Sequence, residues 1–151
     1  MQNLLLAFLG SFCGGIIFNV RGYKLFYTGL SGVSGWMIYT WLLDFTGHQV
    51  ISIFAGAIAV GIYSESAARL LKSPSTIFSI PGIFPIVPGI AAYEMIQSLA
   101  KDELYTAAVK LVGTLAGAGS IAFGILLVTA FFRIVSKPKQ ARQLNPVQVR
   151  R

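Results

Sequence analysis

The chain has 151 residues, 55% of them hydrophobic and 11% charged, with a mean hydropathy of +0.71. An ordinary soluble domain carries about 25% charged residues, so the composition excludes one and describes a single small membrane domain. The formal net charge of +7 gathers at the ends of apolar runs, which indicates topology control and contact with anionic lipid. It offers no solvated basic face of the kind a nucleic-acid reader needs.

Charge-free runs cover 1–20, 25–43, 45–64, 73–93 and 111–132, each near the ~20 residues a helix needs to cross a bilayer. They predict an all-α integral membrane protein of about five transmembrane helices, near 2–20, 25–43, 49–68, 77–99 and 105–133, the fourth broken by prolines. The first opens M-Q-N-L-L-L, without the basic start of a signal peptide, and reads as a mature helix. It carries Gly10, Gly14 and Gly15, with Cys13 as a small buried hydrophobe. Asn19, at its end, either caps the helix or lines a vestibule. The second run spaces Gly29, Gly32 and Gly35 three apart, with Ser31 and Ser34 beside them. Gly56, Ala57 and Gly61 mark the third, and Gly113, Gly117 and Gly119 the fifth. Small residues on one face let helices approach closely in lipid. They serve fixed packing or, in a transporter, a sliding surface.

The charges between the runs set an orientation. Five crossings place Arg21, Lys24, Arg69, Lys72 and the basic residues after Phe132 on one side, and Lys101 and Lys110 on the other. By the positive-inside rule the C-terminus is cytoplasmic and the N-terminus outside. Without a crossing at 25–43, Arg21 and Lys24 would lie outside together with Asp44, so a four-span arrangement is the weaker one. Most tyrosines and Trp41 lie near run ends, where aromatic rings anchor at the interface; Trp36 sits mid-run and is placed to face the bundle interior. The domain is 1–135, and 136–151 reads as a basic cytoplasmic tail.

Few residues can carry chemistry. Cys13 is the sole cysteine and His48 the sole histidine, so no intrachain disulfide and no cysteine-rich metal site can form. No nucleophile–base pair is recognisable, which places an intramembrane enzyme last among the readings; no cofactor is expected. Glu65 and Arg69 stand four apart on one helix face. They read as an interfacial ion pair or as a coupling or gating pair, because ionisable groups inside a membrane are functional candidates. Glu94, near an outer helix end, reads as reaching solvent.

The most informative stretch is Ser73 to Tyr93, S-P-S-T-I-F-S-I-P-G-I-F-P-I-V-P-G-I-A-A-Y. It has no charge, yet it holds Pro74, Pro81, Pro85 and Pro88, with Gly82 and Gly89. Proline removes a backbone donor and clashes with the preceding turn, so one straight helix cannot contain them all. Broken backbone at membrane depth persists where protein or a wet cavity surrounds it, and such segments often form transport sites. A helix restarting after Gly89 would present its N–H groups and positive dipole end to a carboxylate. The competing reading is a static kink that shapes packing.

Glu65 to Tyr93, E-S-A-A-R-L-L-K-S-P-S-T-I-F-S-I-P-G-I-F-P-I-V-P-G-I-A-A-Y, resembles the signature of the bacterial threonine/serine exporter family, and Phe18-Asn19-Val20 also matches. Residues 1–135 as a whole are similar to the family's short membrane subunit. The resemblance implies a multi-pass protein of the bacterial inner membrane that exports threonine and serine with a larger membrane subunit. Some two-component members are associated instead with dicarboxylates, notably succinate. The candidates for a carboxylate-bearing substrate are Pro81, Gly82, Pro85, Pro88, Gly89 and Tyr93, and those for coupling or gating are Glu65, Arg69 and Asn19. A homo-oligomer and a non-transporting scaffold stay open.

Overall fold

The computed structural model describes residues 2–136, and all regular structure among them is helical. The helices are α1 (Gln2–Ile17), α2 (Lys24–Thr46), α3 (Gln49–Leu70), α4 (Thr76–Gly82), α5 (Gly89–Ala100) and α6 (Leu104–Ser136), with a 3-10 turn at Phe84–Ile86 between α4 and α5. The expected tail, 136–151, lies outside the described residues apart from Ser136 at the end of α6.

Two helices, Gln49–Leu70 and Leu104–Val135, are long and apolar enough to cross a membrane. A third candidate is the pair Thr76–Ile86 and Gly89–Ala100, taken as one span bent by 54°. α1, with 16 residues, is apolar but short. α2 has the length, 23 residues, but its serines, threonines, glycines and tyrosines dilute its hydropathy. The expected span at 77–99 is therefore two helices meeting at an angle, with Pro81 inside the first, Pro85 in the 3-10 turn and Pro88 capping the second.

The helix ends share one device. Asn19, Lys72 and Asp102 are left-handed, at φ of 57°, 47° and 59°. Each is followed by an N–H that reaches back over the last turn: Val20 to the Gly15 carbonyl at 2.9 Å, Ser73 to Ala68 at 2.9 Å and Glu103 to Ser98 at 3.0 Å. These reach-back bonds satisfy carbonyls that the end of a helix leaves open. Gly47 ends α2 in the same conformation, its N–H on the Leu43 carbonyl.

α2 packs on α1, α3, α4 and the 3-10 turn, whereas α5 packs on α6 and α6 on α3. One core cluster joins Ile53, Ala57 and Val60 of α3 to Ile86 of the turn and Ile121 of α6, with Trp36 and Tyr39 of α2 against it. Trp36 thus faces inward. A second cluster seats the fully buried Phe78 of α4 on Ala67 and Ala68 of α3. Large apolar side chains cover the outside, among them Leu5, Leu6 and Ile17 of α1 and Val112, Leu115 and Phe131 of α6. A surface this apolar suits lipid or protein and not water. Cys13, expected inside, is exposed on that surface; helices apolar all round give no stripe from which to tell inward from outward.

A left-handed conformation strains any side chain with a Cβ, by about 1–2 kcal/mol. Lys72→Gly and Asp102→Gly should each raise the stability of the purified protein by about 0.5–1 kcal/mol, the gain being trimmed by glycine's freedom in the unfolded chain. Unfolding in mild detergent measures this, and the same change at Leu71, where φ is −97°, should destabilise.

Candidate functional site

α4 lies across the glycine face of α2, and the contact is built from the smallest side chains in the chain. A Cβ added at Gly82 of α4 would collide with the Ser31 Oγ of α2 and lie 2.9 Å from Val60 Cγ1 of α3. One added at Gly35 would meet Val60 and approach the carbonyl oxygens of Gly56, at 3.4 Å, and Gly82, at 3.8 Å. Ser31 and Ser64 are fully buried here, their hydroxyls 3.3 Å apart across α2 and α3. Gly32, on the other flank of α2, receives the side chain of Ser11 from α1. The Ser11 Oγ is fully buried and has no hydrogen-bond partner. Other hydroxyls in the same helices satisfy themselves locally, Thr28 on Leu25, Ser52 on His48 and Thr40 on Trp36.

The break between α4 and α5 has a cavity on either side. Between α1, α2 and the turn lies one of about 630 Å³, lined by Asn3, Leu6, Ala7, Gly10, Trp36, Phe84 and Pro85. Phe84 covers Gly14 of α1 and meets the Phe18 ring edge-on at 6.0 Å. Between the turn, α5 and α6 lies another, of about 460 Å³, lined by Ile83, Val87, Pro88, Gly89 and Ala92 with Thr114, Ala118, Ile121, Ala122 and Ile125. α5 starts at its wall. The Gly89 N–H bonds the Val87 carbonyl at 2.7 Å and that of Ala92 bonds Pro88 at 3.1 Å, and a Cβ at Gly89 would meet nothing within 4 Å.

The six candidates of the proline segment are thus distributed. Pro81 and Gly82 are buried in the α2–α3–α4 contact, Pro85 lines the first cavity, and Pro88 and Gly89 line the second. Tyr93 is 66% exposed on α5. Glu65 is partly buried near the end of α3. Arg69 directs Nη2 to the Phe132 carbonyl at 3.1 Å and lies 4.7 Å over the Phe132 ring, tying α3 to α6. Asn19 lies just beyond α1 in the left-handed conformation and lines a third cavity with Arg21 and Lys24. Glu94 does more than reach solvent, since Lys110 Nζ of α6 lies 2.9 Å from its Oε2, one turn from Thr114. Sixteen residues separate the pair, and neither spacing nor periodicity linked them. Ser31 was visible beside the glycines, but Ser11 and Ser64 left no signal.

Among the described residues no group of three or more His, Cys, Asp or Glu side chains could hold a metal ion. The arrangement is a set of small-residue helix contacts around an interrupted helix: Ile83 at the end of α4 and Pro88 and Gly89 at the start of α5 line one cavity, and Phe84 and Pro85 of the turn line the other.

Residues 3–131 match the family described as "Threonine/Serine exporter, ThrE". The chain is also 29% identical over 110 residues to a threonine/serine exporter of Corynebacterium glutamicum, an overlap of 73% of this chain and 22% of that protein. The chain therefore spans about a fifth of that relative's length. No solved structure is significantly similar to it.

The hydroxyls separate two energetic cases. A buried hydroxyl without a partner costs about 1–3 kcal/mol, whereas a satisfied one contributes modestly. Ser11→Ala should leave stability unchanged or raise it by about 1 kcal/mol, and Ser31→Ala should lower it by about 0.5–1.5 kcal/mol. Parallel denaturant titrations in one detergent compare them, and a loss on Ser11→Ala would mean that its hydroxyl has a partner in solution.

Proposed function

The chain belongs to the threonine/serine exporter family, and from that premise we propose that it is the short membrane subunit of a secondary exporter. Its substrates are small metabolites bearing a carboxylate, threonine and serine first among them, and it acts with a larger membrane subunit. In this reading the helices make five crossings, the fourth formed by α4, the 3-10 turn and α5 together. The N-terminus lies outside and the C-terminus in the cytoplasm. The support is the alternation of charge. Arg21, Lys24, Arg69, Lys72 and Arg133 then share one side of the membrane, and Lys101 and Lys110 the other.

The observation that carries the reading is the interruption of Thr76–Ala100 by a bend of 54° beside a cavity. The first amides of a helix have no carbonyl four residues back within it, and the N-terminal end of its dipole favours an anion. α5 brings this end to the cavity wall at Gly89. A carboxylate docked there would meet the N–H groups of Ile90 and Ala91, those of Gly89 and Ala92 being bonded to Val87 and Pro88, beside Gly89, which has no side chain. Pro88 and Gly89 hold that end open, Pro81 and Gly82 hold the other half-helix on α2, and Pro85 and Tyr93 flank the path. Glu65, Arg69 and Asn19 serve coupling or gating, and the Glu94–Lys110 pair closes the outer edge of α5 on α6. Export follows by rocking of this bundle against the larger subunit, with the substrate exchanged at the break.

Gly89→Ala provides a clean test. The added methyl has open space, so folding and assembly should be retained. It would narrow the approach to the α5 amides. Co-expressed with the larger subunit in cells lacking other exporters, the variant should reduce threonine and serine efflux roughly tenfold, equivalent to about 1.4 kcal/mol of lost binding. Unchanged efflux would remove the substrate from this end of the break. Succinate efflux measured in the same cells distinguishes a dicarboxylate exporter, and an assembled complex that moves none of the three would be a scaffold.

A further inference from the structure

The junction of α1 and α2 has chemistry beyond the coupling or gating role proposed for Asn19. A cavity of about 440 Å³ lies there, lined by Phe18, Asn19, Val20, Arg21, Lys24 and Ile77. Two of the six are cations, one is an amide, three are apolar, and none is acidic. The polar groups are held in place by the backbone. Asn19 is fixed by the left-handed end of α1, with its N–H on the Ile16 carbonyl at 2.9 Å. Its Oδ1 accepts from Arg21 Nε at 3.1 Å, which leaves the terminal guanidinium nitrogens and the amide N–H groups of Asn19 as donors. Lys24 opens α2, whose first turn carries no acidic residue and whose N-cap makes no side-chain bond. The positive end of that helix adds to the two side-chain charges.

We propose that this cavity is an oxyanion site that takes the phosphate of an anionic phospholipid. Arginine and lysine together suit a phosphate, the first as a planar fork of donors and the second as a point charge. The apolar lining argues for an amphiphile and not for a bare ion. Phe18 is 48% exposed, and the neighbouring Ile16 and Ile17 are 56% and 76% exposed. They continue the cavity wall onto the outer surface of α1, where acyl chains would lie. Basic clefts between helices at a membrane surface are where anionic headgroups bind. The site stands independently of what the protein transports. An occupied headgroup would fix the ends of α1, α2 and α4 to one another.

The test is lipid retention by the full chain in detergent, read by native mass spectrometry with phosphatidylglycerol against phosphatidylcholine. Phosphatidylglycerol should be retained selectively, and the double variant Arg21→Gln/Lys24→Gln should weaken its apparent affinity at least tenfold. The variant Lys101→Gln, at the far end of the bundle, should not, and the basic residues after Phe132 supply an equal background in all three. Asn19→Gly preserves the left-handed helix end while removing the tether on Arg21. It should lower retention severalfold at undiminished thermal stability, which separates binding from folding. Inorganic phosphate and succinate titrated into delipidated protein form the second arm. If either binds with the same sensitivity to the double variant and phosphatidylglycerol does not, the assignment to lipid is overturned in favour of a free anion. If no probe responds to Arg21→Gln/Lys24→Gln, the oxyanion site itself is overturned.

Discussion

The packing of α1, α2, α3 and α4 depends on how closely α2 can be approached. Helices in lipid gain little from hiding apolar surface, because the surrounding chains are equally apolar. What remains is dispersion at short range and hydrogen bonding where hydroxyls meet. α2 satisfies both needs by presenting Gly29, Gly32 and Gly35 to its neighbours. Phe8 and Ser11 of α1 rest on the first two, and Val60 of α3 on the third. Gly82 extends the contact to α4. A methyl at Gly32, Gly35 or Gly82 would strike a neighbour's atoms, so the spacing of four helices rests on the absence of a few carbons.

Much of this architecture could be read before any coordinates. The spans read from the charge pattern, 2–20, 25–43, 49–68, 77–99 and 105–133, overlap the helices, although 77–99 holds two of them and Glu65, Glu94 and Lys110 lie within α3, α5 and α6. The prolines between Pro74 and Pro88 pointed to the segment that is divided into α4, a 3-10 turn and α5, although Pro81 lies inside α4. Close packing through the glycines of α2 was also legible. Gly10, Gly113 and Gly119 carried the same signature but face nothing within 4 Å. Spacing identifies a small-residue face and not what lies opposite it.

What stayed hidden involves which helix meets which. Helices apolar on every side lack the stripe that orients a soluble helix, so the outward position of Cys13 and the pairing of Glu94 with Lys110 were not encoded in any local pattern. The same limit explains the proline segment. Its six candidate residues are adjacent in sequence and read as a single site. They divide because the bend sends α4 toward α1, α2 and α3 while α5 runs along α6. The geometry divides its residues between holding the helix and facing a cavity.

The seat of Ser11 in the hollow of Gly32 has a mechanical meaning. Its hydroxyl makes no bond across the contact, whereas Ser31 and Ser64 join α2 to α3 through theirs. One junction is therefore keyed by shape and the other is latched by a directional bond. A keyed junction resists sliding along the helix axis, because the side chain must climb out of its hollow. α1 is thus held on α2 by fit, at Ser11 and at Phe8, while α2 and α3 also share a pair of hydroxyls.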